Sequence, residues 1–111
     1  MKRKVYIEST VVSYYSGQPT RDLIICARQE ETRALWPRLL EEFDSFISAL
    51  VVTECRDGNA ERAAKRVETI TPFPILDTSE AAEALANALL EKGAVPDSYP
   101  EDALHIAIAA V

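Results

Sequence analysis

The chain has 111 residues and a formal net charge of −6, and 48% of its residues are hydrophobic and 27% charged. This length is typical of one domain, and the composition is too apolar for a disordered chain. The acidic balance argues against the broad basic surface with which most nucleic-acid-binding proteins gain affinity. The longest apolar runs, Ile47 to Thr53 and Ala103 to Val111, are shorter than the roughly 20 residues of a membrane-spanning helix. The sequence therefore predicts a single domain, 1–111, without a membrane span.

The amino terminus and the cysteines bear on the cellular compartment. Residues 1–4 are basic, but the strand-like run after them ends in Glu8 and does not resemble the apolar core of a signal peptide. We therefore expect a cytoplasmic protein. Cys26 and Cys55 lack the spacing of a redox motif and have no neighbouring His, which argues against a zinc site and predicts two small core residues.

The first elements are a predicted strand and a short helix. Lys4 to Glu8 alternates and is rich in Val, Tyr and Ile, which predicts a strand that ends on an acidic residue. Ser9 to Ser16 predicts a short helix, because Gly17-Gln18-Pro19 breaks the pattern after it.

A long helix is predicted from Thr20 to Phe43, with Asp22 in its first turn. Arg28 to Glu31 are expected to face water, and Pro37 is expected to kink or restart the helix. The predicted apolar stripe consists of Leu23, Ile24, Ala27, Ala34, Leu35, Leu39, Leu40 and Phe43.

The rest of the chain predicts two further strands among four helices. The strands are Asp44 to Ser48 and Ile75-Leu76, and the helices are Ala49 to Arg56, Ala60 to Ile70, Ser79 to Lys92, and a last one that opens with a capping box at Ser98-Tyr99-Pro100-Glu101. Strands separated by helices imply parallel pairing with right-handed crossovers. The predicted fold class is therefore α/β, with three α/β/α layers and a short parallel sheet.

Three acidic residues stand out because each follows an apolar stretch or opens an apolar helix. They are Glu8, Glu54 and Asp102. The carboxyl ends of parallel strands are where α/β proteins form sites, and clustered carboxylates suit Mg²⁺ or Mn²⁺. Such a site can generate hydroxide from water and stabilise the leaving oxygen in phosphodiester cleavage. The periodicity of the sequence does not establish that the three side chains converge. Glu8 and Glu54 are also consistent with ordinary surface charges, and Asp102 with a charge that the helix dipole favours at a helix N-terminus.

Several neighbouring residues have simpler interpretations. Ser9 and Thr10 are expected to orient a carboxylate or a water molecule, since no base that would make them nucleophiles is evident. His105 is interpreted as a satisfied core residue. Trp36, Tyr14 and Tyr15 could stack on nucleic-acid bases, but a role in the core or in a subunit contact is favoured.

At these acidic residues the sequence resembles the PIN domain, and within it the VapC-like toxins. Tyr6-Ile7-Glu8-Ser9-Thr10-Val11-Val12 is similar to the family's opening strand motif, and Ser48-Ala49-Leu50-Val51-Val52-Thr53-Glu54-Cys55 to its second acidic motif. Asp102-Ala103-Leu104-His105-Ile106-Ala107-Ile108-Ala109 resembles the third motif. The resemblance implies a metal-dependent endoribonuclease, the toxin of a type II toxin-antitoxin pair, in which Glu8, Glu54 and Asp102 hold Mg²⁺ or Mn²⁺. It also implies an RNA substrate, an antitoxin protein partner and frequent dimerisation.

Two departures from the family pattern lead to a second hypothesis. Glu8 stands where the family more often has Asp, and the family's fold continues past the third motif into further strands, so we expect a PIN-like domain lacking its last strands at the carboxyl end. The alternative is a catalytically impaired remnant that acts as a protein-binding module. The apolar run from Ala103 to Val111 predicts a helix covered on more than one side, and hence a homo-oligomer or a complex rather than a stable monomer.

Overall fold

The computed structural model describes residues 2–111. Within these residues the protein is mixed α/β, with three strands and six helices. In chain order they are β1 (Lys4–Tyr6), α1 (Ser9–Ser16), α2 (Leu23–Glu41), β2 (Asp44–Ser48), α3 (Ala49–Cys55), α4 (Ala60–Ile70), β3 (Ile75–Leu76), α5 (Glu80–Glu91) and α6 (Pro100–Ala110). The strands form one sheet in the order β1-β2-β3. The predicted α/β class is confirmed, and the layout is compatible with α/β/α layers.

The first two strands are parallel and in register. Lys4 lies opposite Asp44 and Tyr6 opposite Phe46. The pairing extends past β1, because the Ile7 N–H donates to the Phe46 carbonyl at 2.9 Å. Since both strands run the same way, the chain leaves the same edge of the sheet twice, into α1 and into α3.

The chain divides into two compact units between Ile75 and Leu76. The core of the first unit consists of Ile7, Val12, Trp36, Leu39, Ile47, Val51, Cys55, Ile70 and Phe73. Trp36 stacks on Tyr15 at 4.2 Å between ring centroids and meets Phe73 edge-on at 5.5 Å. The core interpretation of both aromatic residues is confirmed. It is confirmed for Cys55 as well, whereas Cys26 is only half-buried.

Helix α2 buries a face that includes only Leu39 of the predicted stripe. Its buried residues are Gln29, Thr32, Trp36 and Leu39, and it continues through Pro37 as one helix. The stripe anchored by Trp36 and Leu39 runs back through Gln29 toward Cys26, which leaves Leu23 and Ile24 outside it at 85% and 66% exposed. The expectation that Gln29 faces water is therefore wrong. Its Nε2 donates to the Gln18 carbonyl at 2.9 Å, and its buried Oε1 has no hydrogen-bond partner within residues 2–111.

The second unit contains α5 and α6, which pack against each other. The predicted capping box at Ser98 is wrong: Tyr99 is the N-cap of α6 and its side chain makes no capping bond. Because a residue before proline is held out of the helical region, the helix begins at Pro100 and Ser98 lies one position too early to cap it. His105 is buried, as predicted. Ile106 is 51% exposed, so one side of this helix is open. The expectation that another copy or a partner covers that side stays a prediction.

Among residues 2–111, no helix is both long enough and apolar enough to cross a bilayer.

Candidate functional site

Glu8 lies where β1 gives way to α1, and it caps that helix. Its backbone is extended, and its Oε1 accepts a hydrogen bond from the Val11 N–H at 3.2 Å. A carboxylate at this position satisfies an otherwise unpaired helical N–H and is favoured by the helix dipole. The half-buried Glu8 side chain is therefore held at the carboxyl end of the strand.

The second strand ends in a matching cap. Ser48 is fully buried, and its Oγ accepts from the Val51 N–H at 3.2 Å at the start of α3. The Ser48 hydroxyl also shares a hydrogen bond of 2.8 Å with the hydroxyl of Tyr6, the last residue of β1. This contact ties the two strand ends together through their side chains.

Glu54 lies near the end of α3 and is brought to the start of α1. The Ser9 Oγ donates to Glu54 Oε1 at 3.0 Å, a contact between residues 45 positions apart. Because Ser9 follows Glu8 directly, the bond places Glu54 close to Glu8. We call these two residues the carboxylate pair. The prediction that Ser9 orients a carboxylate is confirmed.

The pKa values of two neighbouring side chains are affected by both members of the carboxylate pair. The pKa of the Tyr6 hydroxyl is raised, first by burial and then by the negative charges of Glu54 and Glu8, against the opposing effect of the Ser48 hydrogen bond. The pKa of the Cys55 thiol is raised by burial and by the same two carboxylates, while Arg66 lowers it. Burial is the largest cause of both shifts, and the charges of Glu54 and Glu8 add to it in the same direction.

Asp102 lies in the second unit, exposed in the first turn of α6 beside Glu101. Within residues 2–111, no three His, Cys, Asp or Glu side chains form a group that could hold a metal ion. Of the three predicted ligands, the structure shows Glu8 and Glu54 together in the first unit. The assignment of all three as metal ligands and catalytic residues stays a prediction.

Comparison with protein-family models, curated proteins and solved structures finds no match for this chain. The chemistry of the carboxylate pair can still be read from its donors. Carboxylate oxygens are hard ligands, and Mg²⁺ is often bound by one or two carboxylates together with water and substrate phosphates. The pair is thus a suitable partial ligand set for a divalent cation.

The sequence interpretation missed the link between Tyr6 and Ser48. It depends on the register of β1 against β2, and no spacing along the chain encodes that register. The Ser48 cap itself had a signal, because Ser is a preferred N-cap and the apolar helix begins immediately after it.

The distribution of charge along the chain was also missed. Residues 1–75 contain eleven of the twelve Lys and Arg and eleven of the eighteen Asp and Glu, so this part is formally neutral. Residues 76–111 contain one Lys and seven acidic residues, which account for the whole net charge of −6. The argument against a basic surface therefore applies to the second unit and not to the first.

Proposed function

We propose that this protein is a metal-dependent endoribonuclease of the PIN type, related to the VapC-like toxins. One observation carries the proposal: the Ser9 hydroxyl holds Glu54 beside Glu8 at the carboxyl ends of two parallel strands. That edge is where open α/β sheets bind their ligands. The two carboxylates come from the two motifs that resemble the family at these positions.

In this proposal Glu8 and Glu54 hold Mg²⁺ or Mn²⁺, and Asp102 joins them on the resemblance of its motif alone. The bound cation supplies an activated water and charge stabilisation for the leaving oxygen. The chain itself supplies orientation: the Val11 N–H fixes the Glu8 carboxylate, and the Ser9 hydroxyl fixes that of Glu54. Fixed oxygens of this kind lower the cost of assembling a charged site.

The wider proposal follows the family. The fold is a three-layer PIN-like domain, the substrate is RNA, and the partner is an antitoxin protein that silences the nuclease in the cytoplasm. A homo-oligomer is proposed as the working form, with the exposed Ile106 side of α6 as the surface it covers.

The decisive experiment measures cleavage of a mixed RNA substrate with and without Mn²⁺. Glu8→Gln and Asp102→Asn should each lower the metal-dependent rate by at least about 100-fold, because each removes a charge from the ligand set. Glu101→Gln is the matched control, since it removes the neighbouring charge on the same helix turn and should leave the rate unchanged. Cleavage that persists in both ligand variants would refute the nuclease.

A second candidate function is a PIN-like module that binds a protein without cleaving RNA. The observation that favours it is the apolar surface at the start of α2, where Leu23, Ile24 and Ile25 are all exposed. Exposed apolar patches of this kind often mark protein interfaces. Calorimetric titration with Mn²⁺ separates the two candidates: a signal that disappears in Glu8→Gln supports the nuclease, and no binding at millimolar Mn²⁺ supports the module.

A further inference from the structure

A polar groove of about 580 Å³ lies within the first unit, between the carboxyl end of α1 and the beginning of α4. One wall is the turn from Ser16 to Thr20, and the other is the first turns of α4. No large apolar side chain occurs in its lining, as far as residues 2–111 define it. A site for an apolar ligand would need the opposite character.

The groove is cationic because of one face of α4. Arg62, Lys65 and Arg66 all line it, at the spacing of three and four residues that brings side chains together on a helix. A single carboxylate, that of Glu61, accompanies them in the lining. The amino terminus of α4 adds the positive end of its dipole, and Asn59 caps it by accepting from the Arg62 N–H at 3.1 Å. We call this region the cationic groove.

The three basic side chains of the cationic groove outnumber its one carboxylate, that of Glu61. In the described part of the chain, none of its three basic side chains forms an ion pair. Arg66 is instead fixed by two carbonyl groups: its Nε donates to Cys55 at 3.1 Å and its Nη2 to Asp57 at 2.6 Å. Carbonyls position a guanidinium without cancelling its charge, so Arg66 remains available to an anion.

Exposed basic residues on a helix are often only solvated, but two features distinguish these. They face a walled groove, and one of them is held rigidly at its edge. Phosphate is the anion whose oxygens match several basic side chains at once, and Arg binds it through two parallel hydrogen bonds. The polar lining also offers the hydroxyl of Thr20, which accepts from the Asp22 N–H and keeps its own proton for an anion, whereas the Ser16 hydroxyl donates to the Val12 carbonyl.

The position of the groove connects it to the carboxylate pair. Helix α1 begins beside Glu8 and ends in the groove wall, and its 8 residues span about 12 Å. Arg66 binds the Cys55 carbonyl, one residue from Glu54. We propose that the cationic groove binds the phosphodiester backbone of single-stranded RNA along its path to the carboxylate pair. This inference rests on the nuclease proposal for the identity of the ligand.

The test measures binding without catalysis. A short single-stranded RNA is titrated with protein in EDTA at several salt concentrations, and binding is followed by fluorescence anisotropy. The double variant Arg62→Gln/Lys65→Gln should bind about tenfold more weakly, and its slope of log affinity against log salt should fall by about 1.4, because each lost phosphate contact removes about 0.7 for a single strand. The control Arg3→Gln/Lys4→Gln makes the same charge change on an exposed surface of the same unit. It should keep the wild-type slope.

Equal slopes of log affinity against log salt in the two double variants would contradict RNA binding by the cationic groove. A second titration uses inorganic phosphate alone. If the Arg62→Gln/Lys65→Gln variant binds phosphate more weakly than the wild type but keeps the wild-type salt slope for RNA, the ligand is free phosphate and the RNA inference fails. Because no metal is present, the outcome is independent of the cleavage assay. If the salt slope for RNA falls in Arg62→Gln/Lys65→Gln while RNA cleavage survives Glu8→Gln, the cationic groove binds RNA but the nuclease proposal is rejected.

Discussion

The two ends of helix α1 differ in both charge and construction. At its start, the carboxylate pair is held by hydrogen bonds from Val11 and Ser9, and one of these spans 45 residues of sequence. At its end, the cationic groove takes its charge from neighbours on a single helix, α4. Like charges repel at both ends, and each arrangement would be relieved by a ligand of opposite charge, a cation at one end and a phosphate at the other.

The difference in construction predicts different responses to mutation. The carboxylate pair depends on tertiary contacts, so changes near it should alter ligand geometry and stability together. The cations of Arg62 and Lys65 are exposed and are set by helical periodicity. Their replacement should therefore change binding with little effect on folding.

The largest effect is expected where α1 is anchored. Trp36→Ala removes a side chain that is 4% exposed and stacks on Tyr15 in the last turns of α1. It should lower the free energy of unfolding by about 3–5 kcal/mol, measured by urea denaturation. Leu40→Ala, on the same helix but exposed, should cost less than about 1 kcal/mol. Similar losses in the two variants would show that α1 is not anchored by this stack.

A smaller effect is expected from the hydroxyl that orients Glu54. Ser9→Ala removes the bond to Glu54 Oε1 and should weaken Mn²⁺ binding by about tenfold in a calorimetric titration, as loss of an outer-shell hydrogen bond commonly does. Thr10 was also predicted to orient a carboxylate or a water molecule, but its side chain is exposed and makes neither of the hydrogen bonds that hold Glu8 and Glu54. Thr10→Ala should therefore leave the affinity unchanged. Equal dissociation constants for the two variants would contradict an orienting role for Ser9.

The smallest effect is the dependence of stability on alkaline pH. The pKa values of Tyr6 and Cys55 are raised in the folded protein, mainly by burial, so the folded state holds these protons more tightly than the unfolded chain. Their contribution is complete below the ordinary pKa values, about 8.5 for Cys and 10 for Tyr, and is lost as pH rises through the folded values.

Urea denaturation at increasing pH above about 8 checks this dependence. Tyr6→Phe should reduce the decline in stability by at most about 1.4 kcal/mol per pH unit, because one proton is removed from the balance. Val11→Ala, which introduces no titrating group, should decline as the wild type does. A Tyr6→Phe protein with the wild-type decline would show that Tyr6 does not contribute.

Local patterns along the chain were sufficient to predict most of the elements. Alternation marked β1, the breaker at Gly17 ended α1, and amphipathic spacing marked α4. Gly93 follows α5 in the left-handed conformation that glycine commonly adopts after a helix, with φ of 72°. These features depend on residues a few positions apart, which is why they can be read without the fold.

Other features depend on residues far apart in sequence. The buried face of α2 follows from where Trp36 packs, and so Gln29 is buried while Leu23 is exposed. The pairing of Ser9 with Glu54 and of Tyr6 with Ser48 requires β1 and β2 to lie parallel in one register. The cationic groove likewise needs α4 to face the end of α1. Periodicity places a side chain on one face of its own element, but packing between elements chooses what that face meets.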